Sequence, residues 1–130
     1  MLKEYEIKMT KMAFYDSIFI LRQDISEADV HKIAGKFIDI ATNLGATLIK
    51  KEYWRVRQLA YIVKKNKKGH YVYLGLSASS DVIKELERNY KIDENVIMFS
   101  NIKVDKIDDA PTPMMQAPSD IGSFGEAAEV

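Results

Sequence analysis

Residues 46–76, ATLIKKEYWRVRQLAYIVKKNKKGHYVYLGL, hold two extended segments joined by a cationic stretch, and their reading decides the fold. Residues 46–63 are too many for an average strand, and their apolar and charged residues alternate imperfectly around residues 54–58. One long strand with a bulge or bend is therefore predicted. Lys64-Lys65-Asn66-Lys67-Lys68-Gly69 reads as a polar turn ending in glycine. Residues 70–76 then alternate Tyr71, Tyr73 and Gly75 against Val72, Leu74 and Leu76, so the two segments form an extended hairpin.

Outward from the hairpin, residues 14–21 are a β-branched and aromatic run interrupted only by Asp16 and Ser17, which predicts a first strand. Ser26 followed by Asp29 resembles a capping box. Val30, Ile33, Ala34, Phe37, Ile38, Ala41 and Leu44 then recur at helical spacing until Gly45. Downstream, Ser79 and Ser80 offer N-caps ahead of Asp81, with Val82, Ile83, Leu86 and Tyr90 on one helical face. Residues 95–104 supply a fourth strand before Pro111, Pro113 and Pro118 break the pattern. The order βαββαβ is that of an α+β, ferredoxin-like domain: a four-stranded antiparallel sheet with two helices on one face and the other face open. On strand one, Tyr15, Ser17, Phe19 and Leu21 share one face and Phe14, Asp16, Ile18 and Ile20 the other. Both are largely apolar, so Phe14, Ile18 and Ile20 are candidates for a partner-facing sheet surface.

Lys plus Arg balances Asp plus Glu at 19 each, yet the charge is unevenly placed. Residues 50–68 carry eight cations (Lys50, Lys51, Arg55, Arg57, Lys64, Lys65, Lys67, Lys68) against the single acid Glu52, and from Asp105 onward acids dominate. The absence of cysteine excludes disulfides, thiolate zinc sites and cysteine nucleophiles. No apolar run approaches the roughly 18 residues of a membrane helix. Residues 12–106 form the expected domain. Residues 1–11 read as an N-terminal extension, non-native or from an upstream start, since Met12-Ala13 would also serve as a start. Residues 107–130 read as a disordered acidic tail rich in Pro and Ala, outside the fold. Deleting residues 110–130 is expected from this reading to leave stability nearly unchanged. Nucleophile motifs, phosphate-binding glycine loops and metal-ligand spacings are missing, which argues against an enzyme, a cofactor or a metal. Of the two histidines, His31 reads as a half-exposed helix residue and His70 as a packing residue at the start of a strand.

Lysines in a hairpin turn can simply keep a sheet edge soluble. Interleaving with Tyr53, Trp54, Tyr61, Tyr71 and Tyr73 shifts the reading toward RNA, because rings can stack on bases while cations neutralise phosphates. The aromatic consensus of the common single-strand RNA-binding domain of this topology is matched poorly by residues 69–74.

The run Glu52-Tyr53-Trp54-Arg55-Val56-Arg57-Gln58-Leu59-Ala60-Tyr61, with Lys64, Lys65 and Gly69-His70-Tyr71-Val72 after it, closely resembles the hairpin of bacterial small-subunit ribosomal protein six. The resemblance extends over residues 12–104. It implies a ferredoxin-like structural protein of the cytoplasmic ribosome, bound to the central domain of small-subunit ribosomal RNA with ribosomal protein eighteen as heterodimer partner, and a monomer in isolation. Arg55, Arg57, Lys64, Lys65, Lys67 and Lys68 would face RNA or partner. Leu59, Ala60 and Tyr61 of the family signature would be mainly structural. Arg55 stands where the family usually has glycine, which would suit a bend, and Val63 where isoleucine is usual. The competing readings are a small ferredoxin-like catalyst and a ligand-binding or regulatory module that dimerises through its sheet.

Overall fold

The structure, a computed structural model, describes residues 11–115. Its elements are β1 (Ala13–Arg22), α1 (Glu27–Asn43), β2 (Thr47–Val63), β3 (Asn66–Ala78), α2 (Ser80–Ile92), β4 (Val96–Val104) and a 3-10 turn at Pro113–Met115. The sheet order is β2-β3-β1-β4 with every neighbouring pair antiparallel, the ferredoxin-like arrangement the pattern predicts. Ser26 caps α1 by accepting from the Asp29 N–H at 3.2 Å, and Gly45, at φ 107°, lets the chain turn off its end. Ser79 caps α2 in the same way through Val82. Val30, Ala34, Phe37 and Ala41 of α1, with Val82, Ile83, Leu86 and Tyr90 of α2, cover Phe19, Leu21, Val72, Leu74 and Leu76. Ser17, which interrupts the apolar run of β1, is fully buried there and shares a 2.7 Å hydrogen bond with the Tyr90 hydroxyl. That bond satisfies two groups that would otherwise be costly to bury.

The imperfect alternation of β2 has a local cause. From Tyr53↔Val72 to Val56↔His70 the strand spends three steps against two on β3, so one extra residue is accommodated, and Arg55 sits there at φ 67°. A bulge of this kind flips the parity of a strand. Glu52 and Trp54 precede it on the open face, and Arg57 and Leu59 follow on that same face, where unbroken alternation would have put Val56 and Gln58. Arginine in the left-handed region carries strain of about 1–2 kcal/mol that glycine escapes. Arg55→Gly is therefore expected to raise unfolding free energy by about 0.5–1 kcal/mol after glycine's larger chain-entropy cost, and Arg55→Ala to give no gain. Urea unfolding with an unchanged denaturant slope checks both.

Besides a register shift between Leu48 and Lys50, a third irregularity separates Gln58↔Lys68 from Val63↔Asn66, leaving residues 59–62 opposite little of β3. Leu59 turns inward at 6 % exposure, but Tyr61 is 54 % and Ile62 63 % exposed, and Ala60 is exposed as well. Of the three signature residues expected to be mainly structural, Leu59 is thus buried, while the looped-out backbone carries Ala60 and Tyr61 away from the sheet. The turn is also shorter than the sequence suggests. It consists of Lys64 and Lys65, at φ 48° and 69°, while Asn66 to Gly69 already pair as strand. Two central residues at positive φ match the twist of the flanking strands.

The open sheet face carries its own apolar cluster of Ile20, Trp54, Leu59, Tyr71, Tyr73 and Ile97, with Ile18, Val63, Met98 and Met114 packed against it. Ile20, expected to face a partner, is 2 % exposed and covered by this chain's own residues. Phe14 and Ile18 are half-buried. Part of the cover comes from residues 107–115, which were expected to lie outside the fold. They cross the open face because it offers them specific acceptors and donors. Lys50 donates to the carbonyls of Asp108 and Ala110, Glu52 accepts from Thr112, and Arg57 donates to the Met114 carbonyl. Gly75 makes room for this strap: a Cβ there would lie 3.1 Å from Ile107. The predicted extension over residues 1–10 and the tail over 116–130 lie outside the described residues.

Candidate functional site

At the hairpin end of the sheet Lys64, Lys65, Lys67 and Lys68 are all exposed. The turn that presents them is pinned from below by Asn66, whose amide nitrogen donates to the carbonyls of Val63 and Lys64 and whose amide oxygen accepts from the Gln23 N–H. Gln23 in turn accepts from the Lys68 N–H. The four lysines therefore stand on an ordered base that joins the hairpin to the end of β1. A cleft of about 400 Å³ opens there between Arg22, Lys64 and Lys65, with Asp24 and Glu94 also on its wall. Arg22 is held by an ion pair to Asp24 at 2.8 Å. Concentrating cations on a fixed turn suits a polyanion backbone, which is bound through many charge contacts and not one deep pocket.

The other predicted cations divide. Arg55 is exposed at the bulge, its guanidinium 5.9 Å from the Tyr53 ring. Arg57, expected to face RNA or partner, is 3 % exposed and lies under the strap, with Nη2 2.7 Å from the Met114 carbonyl oxygen. The bulge at Arg55 is the reason, since it turns Arg57 onto the covered face.

Glu52, the single acid of the basic stretch, organises the centre of that face. Its carboxylate is 5 % exposed and accepts from Trp54 Nε1 at 2.8 Å, the Thr112 N–H at 2.9 Å and the Thr112 hydroxyl at 2.5 Å, with Lys50 Nζ 3.8 Å away. Burial pulls its pKa up, but the bonds from Thr112 and Trp54 and the Lys50 charge outweigh burial and hold it below the ordinary 4.5. Trp54 stacks on Tyr73 with ring centroids 5.4 Å apart, and the Tyr73 hydroxyl donates to Asp16 at 2.7 Å. Burial first, and then that carboxylate, raise the Tyr73 pKa well above the usual tyrosine value. Sequence reading passed over Glu52; its isolation among cations, two residues from Trp54 on one strand face, was the signal for it.

On the opposite face His70 is 4 % exposed, packing as expected. Its Nε2 lies 2.8 Å from the Ile25 carbonyl oxygen, so Nε2 carries the proton and Nδ1 accepts from the Tyr53 hydroxyl at 2.7 Å. Burial lowers its pKa from the ordinary 6.5. The unfolded chain then binds a proton that the folded chain resists, so this contribution to stability is complete above 6.5 and is lost as pH falls below it. Unfolding free energy is expected to rise from about pH 5 to about pH 7, and to do so less in His70→Phe; urea titrations at stepped pH check this, and equal slopes would contradict it.

No helix among the described residues is long and apolar enough to cross a membrane. Comparison with known proteins agrees with the geometry. Residues 14–103 match the family model for ribosomal protein S6. Small ribosomal subunit protein bS6 of Rickettsia prowazekii (strain Madrid E) is 48% identical over 108 residues, 83% of this chain and 89% of the relative. The protein of the same name from Rickettsia canadensis (strain McKiel) is 49% identical over the same shares. The crystal structure of 30S ribosomal protein S6 from Thermotoga maritima superimposes with a TM-score of 0.68 over 72% of this chain and 89% of that one, at 22% identity, which speaks for the fold. The chain belongs to the ribosomal protein S6 family, and it is a structural protein of the small ribosomal subunit and not an enzyme.

Proposed function

We propose that this protein binds the central domain of small-subunit ribosomal RNA jointly with ribosomal protein eighteen, as a heterodimer assembled from a chain that is monomeric alone. The observation that carries this reading is the pinned hairpin end with its four exposed lysines, in a chain of neutral overall charge. Lys64, Lys65, Lys67 and Lys68 contact phosphates, and Arg55 lies near enough along β2 to extend the same track. Arg57 takes no part, being buried. The protein partner meets the half-buried Phe14 and Ile18 and the exposed Tyr61 and Ile62, apolar groups that residues 11–115 leave uncovered. A chain with balanced charge gains most of its RNA affinity from sharing the site with a more basic protein, because each phosphate contact adds to a common electrostatic term.

Titration of a central-domain fragment of small-subunit ribosomal RNA, with the chain alone and together with ribosomal protein eighteen, tests this. Tight binding with both proteins and weak binding with this chain alone is the expected result. Equally tight binding without the partner would contradict joint recognition.

A further inference from the structure

The strap follows one course along β2. Asp108 and Ala110 meet Lys50, Thr112 meets Glu52, and Met114 meets Arg57, so successive strap residues move toward the hairpin turn. The chain leaves the described residues at Met115, about seven strand residues, or roughly 23 Å, short of Lys64. Residues 116–130 contain Asp120, Glu126 and Glu129 and no Lys, Arg or His. At up to about 3.6 Å per residue, Glu126 and Glu129 can reach Lys64, while Asp120, spanning up to about 18 Å, reaches the nearer lysines, Lys68 pairing beside Gln58. Between Arg57 and that turn stand the exposed Tyr61 and Ile62, and the same tail carries Ile121 and Phe124.

We propose that residues 116–130 dock on this chain's own hairpin, acids on the four lysines and apolar residues on Tyr61 and Ile62, and compete there with RNA. Charge complementarity and the heading of the strap select this occupant. Tethering at Met115 supplies an effective concentration on the order of millimolar, so weak individual ion pairs suffice to occupy the site at low salt. The tail then screens the hairpin from unrelated RNA and yields to the cognate site, where the partner adds binding energy. The competition, though not the docking, rests on the hairpin being an RNA-contacting surface.

The chain has no cysteine, so a nitroxide on Ser123→Cys in the full-length protein labels the tail alone. At about 0.05 M salt the amide signals of residues 61–68 should lose more than half their intensity. They should recover at about 0.5 M salt, where charge interactions are screened within a few ångströms. They should also recover when Asp120→Asn, Glu126→Gln and Glu129→Gln are added. Unchanged hairpin signals at low salt would overturn the docking. In the second arm, the full-length neutralised-tail protein should bind an unrelated duplex RNA about three- to tenfold more tightly than wild type at low salt and equally at high salt. Equal affinity at low salt, with Lys64→Ala and Lys65→Ala weakening binding, would overturn the competition. If those lysine changes also leave affinity untouched while the broadening persists, the docking stands and the hairpin's part in RNA binding falls.

Discussion

Replacing Glu52 by alanine is expected to lower unfolding free energy by about 2–3 kcal/mol. The carboxylate lies at the junction of β2, the Trp54 ring and the strap, and three donors converge on it. A hydrogen bond to a charged group contributes about 1.5–3 kcal/mol when its partner is left without a substitute. Thr112 can lift into water, so its share of the loss is small; Trp54 Nε1 is 2.8 Å from Glu52 in a residue only 4 % exposed and cannot lift so easily. Glu52→Gln keeps the shape and should cost about half as much. It should also remove an acid sensitivity. The folded-state pKa of Glu52 lies below its ordinary 4.5, so its contribution is present above 4.5 and is lost as pH falls through the lower folded value. By the same logic, deleting residues 110–130 should cost about 1–2 kcal/mol, because Met114 leaves an apolar cluster and Glu52 loses Thr112 to water. The single tryptophan, beside Glu52, reports the event in urea unfolding followed by fluorescence. A loss under about 0.5 kcal/mol for Glu52→Ala would mean that the buried Trp54–Glu52 bond contributes nothing measurable.

Exchange of Lys64, Lys65, Lys67 and Lys68 for alanine together is expected to weaken binding of the protein pair to central-domain RNA about 100-fold at about 0.1 M salt. The side chains are exposed, and the turn is held by the Asn66 amide and the Gln23 side chain, which the substitutions leave in place. Unfolding free energy should therefore stay within about 0.5 kcal/mol of wild type. Arg57→Ala should behave oppositely. Its guanidinium is buried against the strap, so stability falls while the salt dependence of RNA binding is kept.

The helices were readable because their signals are local. Ser26 and Ser79 cap within three residues of themselves, and the buried faces of both helices recur at one spacing. The two faces of β1 and the split of β3 into Tyr71, Tyr73 and Val72, Leu74, Leu76 followed from strict alternation. Beyond Arg55 that rule misleads, because one extra residue resets which face each side chain takes, and nothing in an arginine announces a positive φ. Arg57 was expected to face RNA or partner from the family resemblance, whereas the reset parity puts it on the open face beneath the strap. Tyr61 was expected to be mainly structural from its place in the family signature, whereas residues 59–62 leave the pairing register. The strap escaped notice because its contacts depend on partners about 60 positions away, and its own composition of Pro, Ala, Asp and Thr has no period.

The most direct measurement is a salt series of RNA affinity for the wild-type protein pair and for the pair carrying the four lysine-to-alanine changes. If the hairpin lysines lie on phosphates, the slope of log affinity against log salt should become shallower by roughly three to four, near 0.9 for each contact removed. Parallel lines, offset or not, would contradict the account, since they would mean that the lysines never displace counterions from the RNA.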